Sequence, residues 1–436
     1  MLLSVQLVVI CCLWGISLIV ERRRPRVNPL LLIAGIYILL QAWWMTVNAK
    51  FTCDLETMQF TPLSPPIPGA TGSIARGQSF EIALLMTGLV SVAFFIADLA
   101  GSSTWRRRFL IAMAATGAAV VCIGALQRVT HAREIYWASE VIGGGFFGPY
   151  RNHDNAAALI NLAWPLAGGL FVAALGSAKL WLRFVYGACA VLGVAGAVAT
   201  GSRAGSLLGF LVLVIFALWL LRQSIAGRLG AVKLPELITA SILMLVLMAA
   251  LAAFTGIDFS IRRWSELEGE LTSKNYRWLA YQVCLKIIPQ AGWFGYGPGT
   301  FQCAFPHFTH EFGDALKGRW TYAHQDYLQA VIEWGRVGAI AWAVYLAGAI
   351  VRACRAFARH HRALTLSRRT QFTSILLALG AVLLHSLVDF PMQIASIHLY
   401  MAVLLGLLWG AGQWITEPSR STHGVHGEER AQPIRI

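Results

Sequence analysis

Residues 322–338 read YAHQDYLQAVIEWGRVG, and they mark the point where a long polar segment enters an apolar helix. The polar half ends at His324, Gln325 and Asp326, and the apolar stretch that follows predicts a helix that crosses a membrane. A histidine at a membrane surface can take up a proton near neutral pH without the full cost of a charge in hydrocarbon. The junction is therefore a candidate catalytic edge.

The composition of the whole chain indicates a membrane protein. Hydrophobic residues make up 57% of its 436 residues and charged residues only 13%. Apolar runs recur that are each long enough to cross a bilayer as a helix. We predict an all-α polytopic membrane protein with eleven transmembrane helices, the odd number leaving room for a twelfth in a full-length form. The predicted spans are residues 2–20, 29–47, 82–97, 109–126, 156–175, 184–200, 205–221, 237–254, 327–351, 372–388 and 394–415.

Basic residues concentrate in alternate connections, and this alternation predicts the orientation. Short connections rich in Lys and Arg stay in the cytoplasm, and such connections follow predicted spans one, three, five, seven and nine. We therefore expect the N-terminus outside, the C-terminus inside, and the long connections 48–81, 127–155 and 255–326 on the extracytoplasmic side. Because these topology signals explain the formal net charge of +14, we predict membrane lipids and no nucleic acid as partners.

The chain divides into four predicted segments. Residues 1–254 hold about eight spans, 255–326 form a large extracytoplasmic loop of short helices that caps the bundle, 327–415 hold three spans, and 416–436 form a cytoplasmic tail that we expect to be disordered. In the large loop, Ser273 is predicted to cap a helix over 274–288 that is ended by Pro289 and Gly292. From its position alone, Arg277 on this helix is interpreted as an anchor at the membrane surface rather than as a functional residue. The stretch GWFGYGPGTF at 292–301 lacks the pattern of a phosphate-binding loop, so we predict turns that let the backbone pack closely.

Polar residues also stand at the edges of other spans. Arg203, in ATGSRAGS between spans six and seven, has a functional and an anchoring interpretation of equal weight, since a cation on the outer side runs against the usual charge bias. In GPYRNHDNAAALIN, before span five, Asp154 or Asn155 is predicted to cap the helix, which leaves Arg151 and His153 available to a polar headgroup.

The spacing of the histidines does not predict a metal site. His385 and Asp389 lie four residues apart in HSLVDFPMQ, and we expect a supporting polar pair rather than direct catalysis. His307, His310 and His324 lack the spacing of a zinc site, so we predict no metal.

Three cysteines, Cys53, Cys284 and Cys303, lie in the outward connections, where oxidation is possible. A bridge between Cys284 and Cys303 would close the large loop. Because three is an odd number and spacing does not reveal geometry, we favour free or structural thiols over that bridge.

Taken in order, these motifs resemble the O-antigen ligase and polymerase superfamily of bacterial envelope glycan enzymes, from about residue 151 onward. The matching pieces are RNHDNAAA, TGSRAG, YRW, GYGPGTF, HQDYLQAVIEWGRVG and HSLVDFP, arranged around one long loop. The resemblance implies a fold of the GT-C type in the bacterial inner membrane, with the active site on the periplasmic face. It also implies transfer of a glycan from undecaprenyl diphosphate to an acceptor hydroxyl.

The resemblance further implies roles for individual residues. By position, Arg203 and Arg277 match the arginines that bind the diphosphate, and His324 matches the base that deprotonates the acceptor. The implied reaction is direct displacement with inversion, which uses no metal and no other cofactor. Family members commonly have HN where this chain has His324 followed by Gln325. The remaining candidates for substrate binding are Arg151, His153, Asp326 and Tyr327.

Several alternatives stay open at the level of sequence. Within the superfamily, a glycan polymerase and a protein O-oligosaccharyltransferase are the alternatives to a ligase, and the acceptor is a lipid, a glycan or a protein. A secondary transporter is another class, for which Glu333 and Arg336 inside span nine are candidates, although their spacing predicts that they pair with each other. A non-catalytic protein that binds lipid-linked glycans is the third class.

Overall fold

The computed structural model describes residues 2–140, 145–175, 179–228, 276–316 and 318–416. These ranges are mostly helical, with two short antiparallel hairpins, β1–β2 (Phe51–Cys53 and Phe60–Pro62) and β3–β4 (Glu134–Ile135 and Ser139–Glu140). The helices in chain order are α1 (Leu2–Val20), α2 (Pro29–Val47), α3 (Arg76–Leu99), α4 (Ser103–Val129), α5 (His153–Ala174), α6 (Leu180–Ala199), α7 (Arg203–Ile225), α8 (Tyr276–Ala291), α9 (Phe301–Ala304), α10 (Asp326–His360), α11 (Leu366–His385), α12 (Ala395–Trp409) and α13 (Ala411–Ile415). Short 3-10 helices cover Phe305–Phe308, His310–Leu316 and Pro391–Gln393.

Within the described ranges, eight helices are long and apolar enough to cross a membrane, namely α1 to α7 and α10. They coincide with the first seven predicted spans and the ninth, and α11 coincides with the tenth. The eleventh predicted span is divided at Gly410 into α12 and α13. The eighth predicted span, the Ser273 cap and the predicted tail from 417 onward lie outside the described residues. The protein is thus an all-α polytopic membrane protein.

Helix α5 lies at the centre of the bundle. Of its most apolar window 89% is buried inside the protein, against 11% for α1, so α5 is surrounded by helices whereas α1 lies at the periphery. It packs against α4, α6 and α11. Small residues make these contacts close, because a Cβ on Gly193 of α6 would lie 2.3 Å from Cβ of Trp164 on α5.

The two ends of the bundle differ in character. At one end, Arg23 forms an ion pair of 2.9 Å with the buried Asp98, and Arg106 lies 5.1 Å from the ring of Trp414. At the opposite end, the first long connection contacts the large one, since the amide of Ile74 donates to the carbonyl of Tyr296 at 3.0 Å. The predicted grouping of the first and third long connections is therefore present in the structure.

Helix α10 is broken at Gly335, whose φ of +65° and ψ of −173° are not helical. A break inside a membrane helix leaves carbonyl groups without their usual partners, and other groups must satisfy them. The amides of Tyr296 and Gly297 donate to the carbonyls of Ile332 and Glu333 at 3.1 and 2.9 Å. Gln41 of α2 donates to the carbonyl of Trp334 at 2.7 Å. The carbonyls of Ile332, Glu333 and Trp334 therefore all accept hydrogen bonds from other parts of the protein.

The glycine-rich loop 292–299 fits against this break because it lacks side chains where the two backbones meet. A Cβ on Gly295 would lie 2.3 Å from the carbonyl oxygen of Glu333. Close backbone packing, as predicted from the sequence, is confirmed. Of the two residues predicted to end α8, Gly292 does so: the helix continues through Pro289 to Ala291, and Gly292 then adopts a φ of +68°.

The predicted pairing of Glu333 with Arg336 is wrong, because the break at Gly335 separates them. The Glu333 carboxylate is buried and accepts hydrogen bonds from the amides of Gly299 at 2.9 Å and Phe301 at 3.2 Å. Arg336 instead lies over the ring of Trp293, 5.3 Å from its centre.

Gly335→Ala is expected to destabilise the protein by at least about 1–3 kcal/mol, since the backbone conformation at Gly335 is essentially restricted to glycine. The matched control is Gly380→Ala in α11, where a Cβ would meet nothing within 4 Å. The unfolding midpoint in detergent should fall for Gly335→Ala and stay level or rise for Gly380→Ala. Equal midpoints for the two variants would contradict this account of the break.

Candidate active site

His324 lies at the end of the large connection and is paired with a carboxylate from a distant part of the chain. Its Nδ1 lies 3.0 Å from Oδ1 of Asp389, which follows α11. The Asp389 side chain is only 2% exposed, whereas that of His324 is 26% exposed. When Nδ1 carries the proton and donates to Asp389, Nε2 keeps its lone pair, which is the arrangement of an oriented general base.

The backbone and ring of His324 are both held in place. Its φ of +53° is in the left-handed region, which is uncommon for a residue with a side chain and is found preferentially at functional sites. The Tyr281 hydroxyl donates to the carbonyl of His324 at 2.7 Å. Burial raises the pKa of Tyr281, so this hydroxyl remains a donor at neutral pH. The ring of His324 packs edge-on against Trp320 and Phe390.

Asp154, which is partly buried, forms a cluster with the buried His385 and Asp389 next to His324. One potential metal-ligand atom from each residue lies within 4.8 Å of those of the other two. Among the described residues, these three side chains form a group that could hold a metal ion. His385 is 1% exposed, and neither ring nitrogen has a hydrogen-bond partner in the described part of the chain. The composition of the cluster suits a cation site or a proton-holding group that supports the pair in front of it.

The predicted cap of α5 is corrected by the structure. Asn152 is the N-cap, because its side chain accepts from the amide of Asp154 at 2.8 Å. Asp154 is therefore free of capping, and its carboxylate is hydrogen-bonded by Ser202 and lies near His385. The predicted supporting pair of His385 and Asp389 does lie together, but Asp389 also bonds directly to the candidate base.

The two candidate arginines enter the same region from different helices. Arg277, in the first turn of α8, is exposed, and its Nη1 lies 3.4 Å from the carbonyl of Val388. Its charge acts on both Asp154 and His385. Arg203 begins α7 directly after Ser202, which caps that helix and hydrogen-bonds to Asp154. Arg277 thus reaches the cluster, and Arg203 begins its helix next to a residue of the cluster.

The four predicted substrate-binding residues divide into two groups. Arg151 is exposed beside the cap of α5, and His153 is held by its own connection, with Nδ1 2.9 Å from the carbonyl of Gly145. Asp326 and Tyr327 are anchored, because the Asp326 carboxylate accepts from Gln393 and the amide of Met392, and the Tyr327 hydroxyl donates to a carbonyl of α11. The Asp326 carboxylate thus already accepts hydrogen bonds from the protein, whereas the bond of His324 to Asp389 uses Nδ1 and not Nε2.

Two cavities of opposite character meet at the segment from His324 to Tyr327. An open depression of about 750 Å³ is lined by His324 and by polar and aromatic residues that include Tyr276, Arg319 and Tyr322. A second cavity, of about 420 Å³, lies between α3, α10, α11 and α12; its lining is mainly apolar, with Asp326 and Tyr327 among the exceptions. A molecule with a polar head and an apolar tail would therefore find suitable surroundings on both sides of this segment.

The carboxylate partner of His324 was not visible in the sequence. Asp389 lies 65 positions away, and its spacing to His385 was the only local signal. Tyr281, which fixes the backbone of His324, carried no signal beyond sharing a helix face with Arg277.

Residues 188–343 match the model of a family described as O-antigen ligase. The matched stretch contains Arg203, Arg277 and His324, whereas the three residues of the cluster lie outside it. No curated protein matches the chain. The match confirms the resemblance indicated by the motifs.

Proposed function

We propose that this chain, which carries an O-antigen ligase region, is a glycosyltransferase that moves a glycan from undecaprenyl diphosphate to an acceptor hydroxyl. The family match supports an O-antigen ligase-like role in membrane glycan processing. The observation that carries the finer proposal is the His324–Asp389 pair, which lies where an open polar depression meets an apolar cavity between helices. The polyprenyl chain would occupy the apolar cavity, and the acceptor would reach His324 from the open side.

The proposed reaction needs one base and a stabilised leaving group. Nε2 of His324 takes the proton from the acceptor hydroxyl, whose oxygen bonds to the anomeric carbon of the glycan. The bond from that carbon to the diphosphate breaks, and undecaprenyl diphosphate leaves with the electron pair. Asp389 stabilises the imidazolium that forms at His324, as a buried carboxylate does for a catalytic histidine.

The diphosphate is assigned to Arg203 and Arg277. A guanidinium matches phosphate oxygens with two parallel hydrogen bonds, and charge stabilisation in a partly water-excluded site is the largest usual contribution to such a reaction. Asp154 lies near Arg277 and is bonded by Ser202, which precedes Arg203, so it is placed to orient this region. The proposed acceptor is a lipid, a glycan or a protein hydroxyl, and the geometry suits ligase, polymerase and protein O-oligosaccharyltransferase alike.

His324→Ala is expected to slow the chemical step by on the order of a hundredfold or more while donor binding is retained, as is typical when a general base is removed. Asp389→Asn is expected to act in the same direction, because the imidazolium loses its partner. The measurement is transfer from purified undecaprenyl-diphosphate-linked glycan in detergent. His307→Ala is the control, since His307 is an exposed histidine of the same connection that packs on Phe60.

Two outcomes would overturn this assignment. If His324→Ala transfers glycan at the parent rate and Asp326→Asn does not transfer it, the carboxylate is the base. If EDTA abolishes transfer and a divalent metal restores it, the metal-independent scheme fails, and the cluster of Asp154, His385 and Asp389 becomes the place to look for the ion.

Arg203→Lys and Arg277→Lys are each expected to lower turnover by about 10-fold to 100-fold, the equivalent of one charge-assisted hydrogen bond. The change keeps the charge but removes the two-pronged geometry. Arg133→Lys, at an exposed arginine in the second long connection, is the control. Normal transfer by Arg203→Ala or Arg277→Ala would remove that residue from the mechanism.

The proposed orientation in the bacterial inner membrane, with the active site on the periplasmic face, is tested by cysteine labelling. We expect Ser64→Cys and Thr309→Cys to react with a membrane-impermeant maleimide in cells with a permeabilised outer envelope, and Ser224→Cys to react only after lysis. The variants are built in a chain whose exposed Cys12 and Cys122 are replaced by alanine. Labelling of Ser224→Cys alone in intact cells would reverse the orientation.

A further inference from the structure

Two cysteines from different long connections meet in one small core. Cys53 ends strand β1, and Cys303 lies in the short helix α9. They are 8% and 0% exposed, and with Ala75 they form a core cluster that Phe60 and Ile74 cover. Both are free thiols in the structure, and they share this core.

The third outward cysteine is separated from this pair. Cys284 lies on α8 in a different core, among Ala280, Ile287 and Phe305. The structure therefore does not favour the bridge between Cys284 and Cys303 considered from the sequence. Of the three cysteines in the outward connections, Cys53 and Cys303 lie in one core and Cys284 lies in another.

A covalent link between Cys53 and Cys303 would join the β1–β2 hairpin to the large connection. A hairpin of three residue pairs, such as β1–β2, is marginally stable alone. The hairpin reaches the large connection through the core around Cys53, and the adjoining residues Ser79 and Ile74 bond to the carbonyls of Pro298 and Tyr296 in the glycine-rich loop. A link at this point would join the first connection to the loop that satisfies the break in α10.

We propose that Cys53 and Cys303 form a disulfide in the mature protein, which rests on the extracytoplasmic placement of both connections in the proposed function. The two thiols give up two protons and two electrons, and the disulfide of an oxidising thiol–disulfide carrier in that compartment is reduced to a dithiol. One S–S bond forms between Cys53 and Cys303 and one breaks in the carrier.

Burial lowers the reactivity of the thiols in the folded protein. Burial raises the pKa of the Cys303 thiol strongly, and Cys53 raises it further. Because the thiolate is the attacking species, the closed protein reacts slowly. Because both residues are buried, a bond between them would be shielded from reductants.

The test is peptide mapping of the full-length protein from aerobically grown cells. Cells are quenched with acid, free thiols are blocked with N-ethylmaleimide under denaturing conditions without reductant, and the digest is analysed by mass spectrometry. The expected result is a linked peptide pair that contains Cys53 and Cys303, with Cys284 recovered as the maleimide adduct. Recovery of Cys53 and Cys303 as maleimide adducts would overturn the proposal.

Thermal stability supplies an independent measurement. Cys53→Ala and Cys303→Ala should each lower the unfolding midpoint, and the double variant should fall little further, because both changes remove the same bond. Dithiothreitol present during expression should lower the parent protein's midpoint more than that of the double variant. Additive effects of the two substitutions would count against a link. If the thiols are free while Ser64→Cys is labelled from outside, the disulfide fails and the proposed orientation stands.

Discussion

The fold depends on how the protein satisfies the carbonyl groups that a broken membrane helix leaves unpaired. At Gly335 the helical hydrogen bonds of α10 are interrupted, and the amides of Tyr296 and Gly297 donate instead to the carbonyls of Ile332 and Glu333. Since hydrocarbon offers no hydrogen-bond donors, this replacement must come from the protein itself. The requirement draws the glycine-rich loop into the bundle, and the loop in turn fixes the first connection through Ile74 and Ser79. The break in α10 thus determines where the glycine-rich loop and the first long connection pack.

That organisation has a direct effect on the candidate active site. The buried Glu333 carboxylate accepts hydrogen bonds from the amides of Gly299 and Phe301, so in this protein it stabilises the packing of the glycine-rich loop on the broken helix. In secondary transporters, by contrast, groups at broken helices are directed toward a substrate or ion. The short segment of α10 before the break is held rigidly, and His324 lies just ahead of it. We infer that the break stabilises the position of His324 rather than forming a transport path.

Much of the architecture could be predicted from the sequence because apolar length is a strong signal. Ten of the predicted spans fall on helices, and Arg203, Arg277 and His324 were singled out by their positions at span edges together with the family resemblance. What the sequence did not reveal is contact between distant segments. Asp389 pairs with His324, Asn152 rather than Asp154 caps α5, and Cys303 meets Cys53 instead of Cys284. Each of these depends on how helices pack, which spacing along the chain does not encode.

The two cavities beside the segment from His324 to Tyr327 have a kinetic consequence. One is open and the other lies between helices, and the two are lined by different residues. On the proposed function, the lipid part of the donor and the acceptor occupy different cavities, and the enzyme reacts through a ternary complex without a glycosyl-enzyme intermediate. An amphiphile that occupies the helix-lined cavity would compete with the donor but not with the acceptor. Affinity for the two substrates can then change independently in evolution, with the same base serving both.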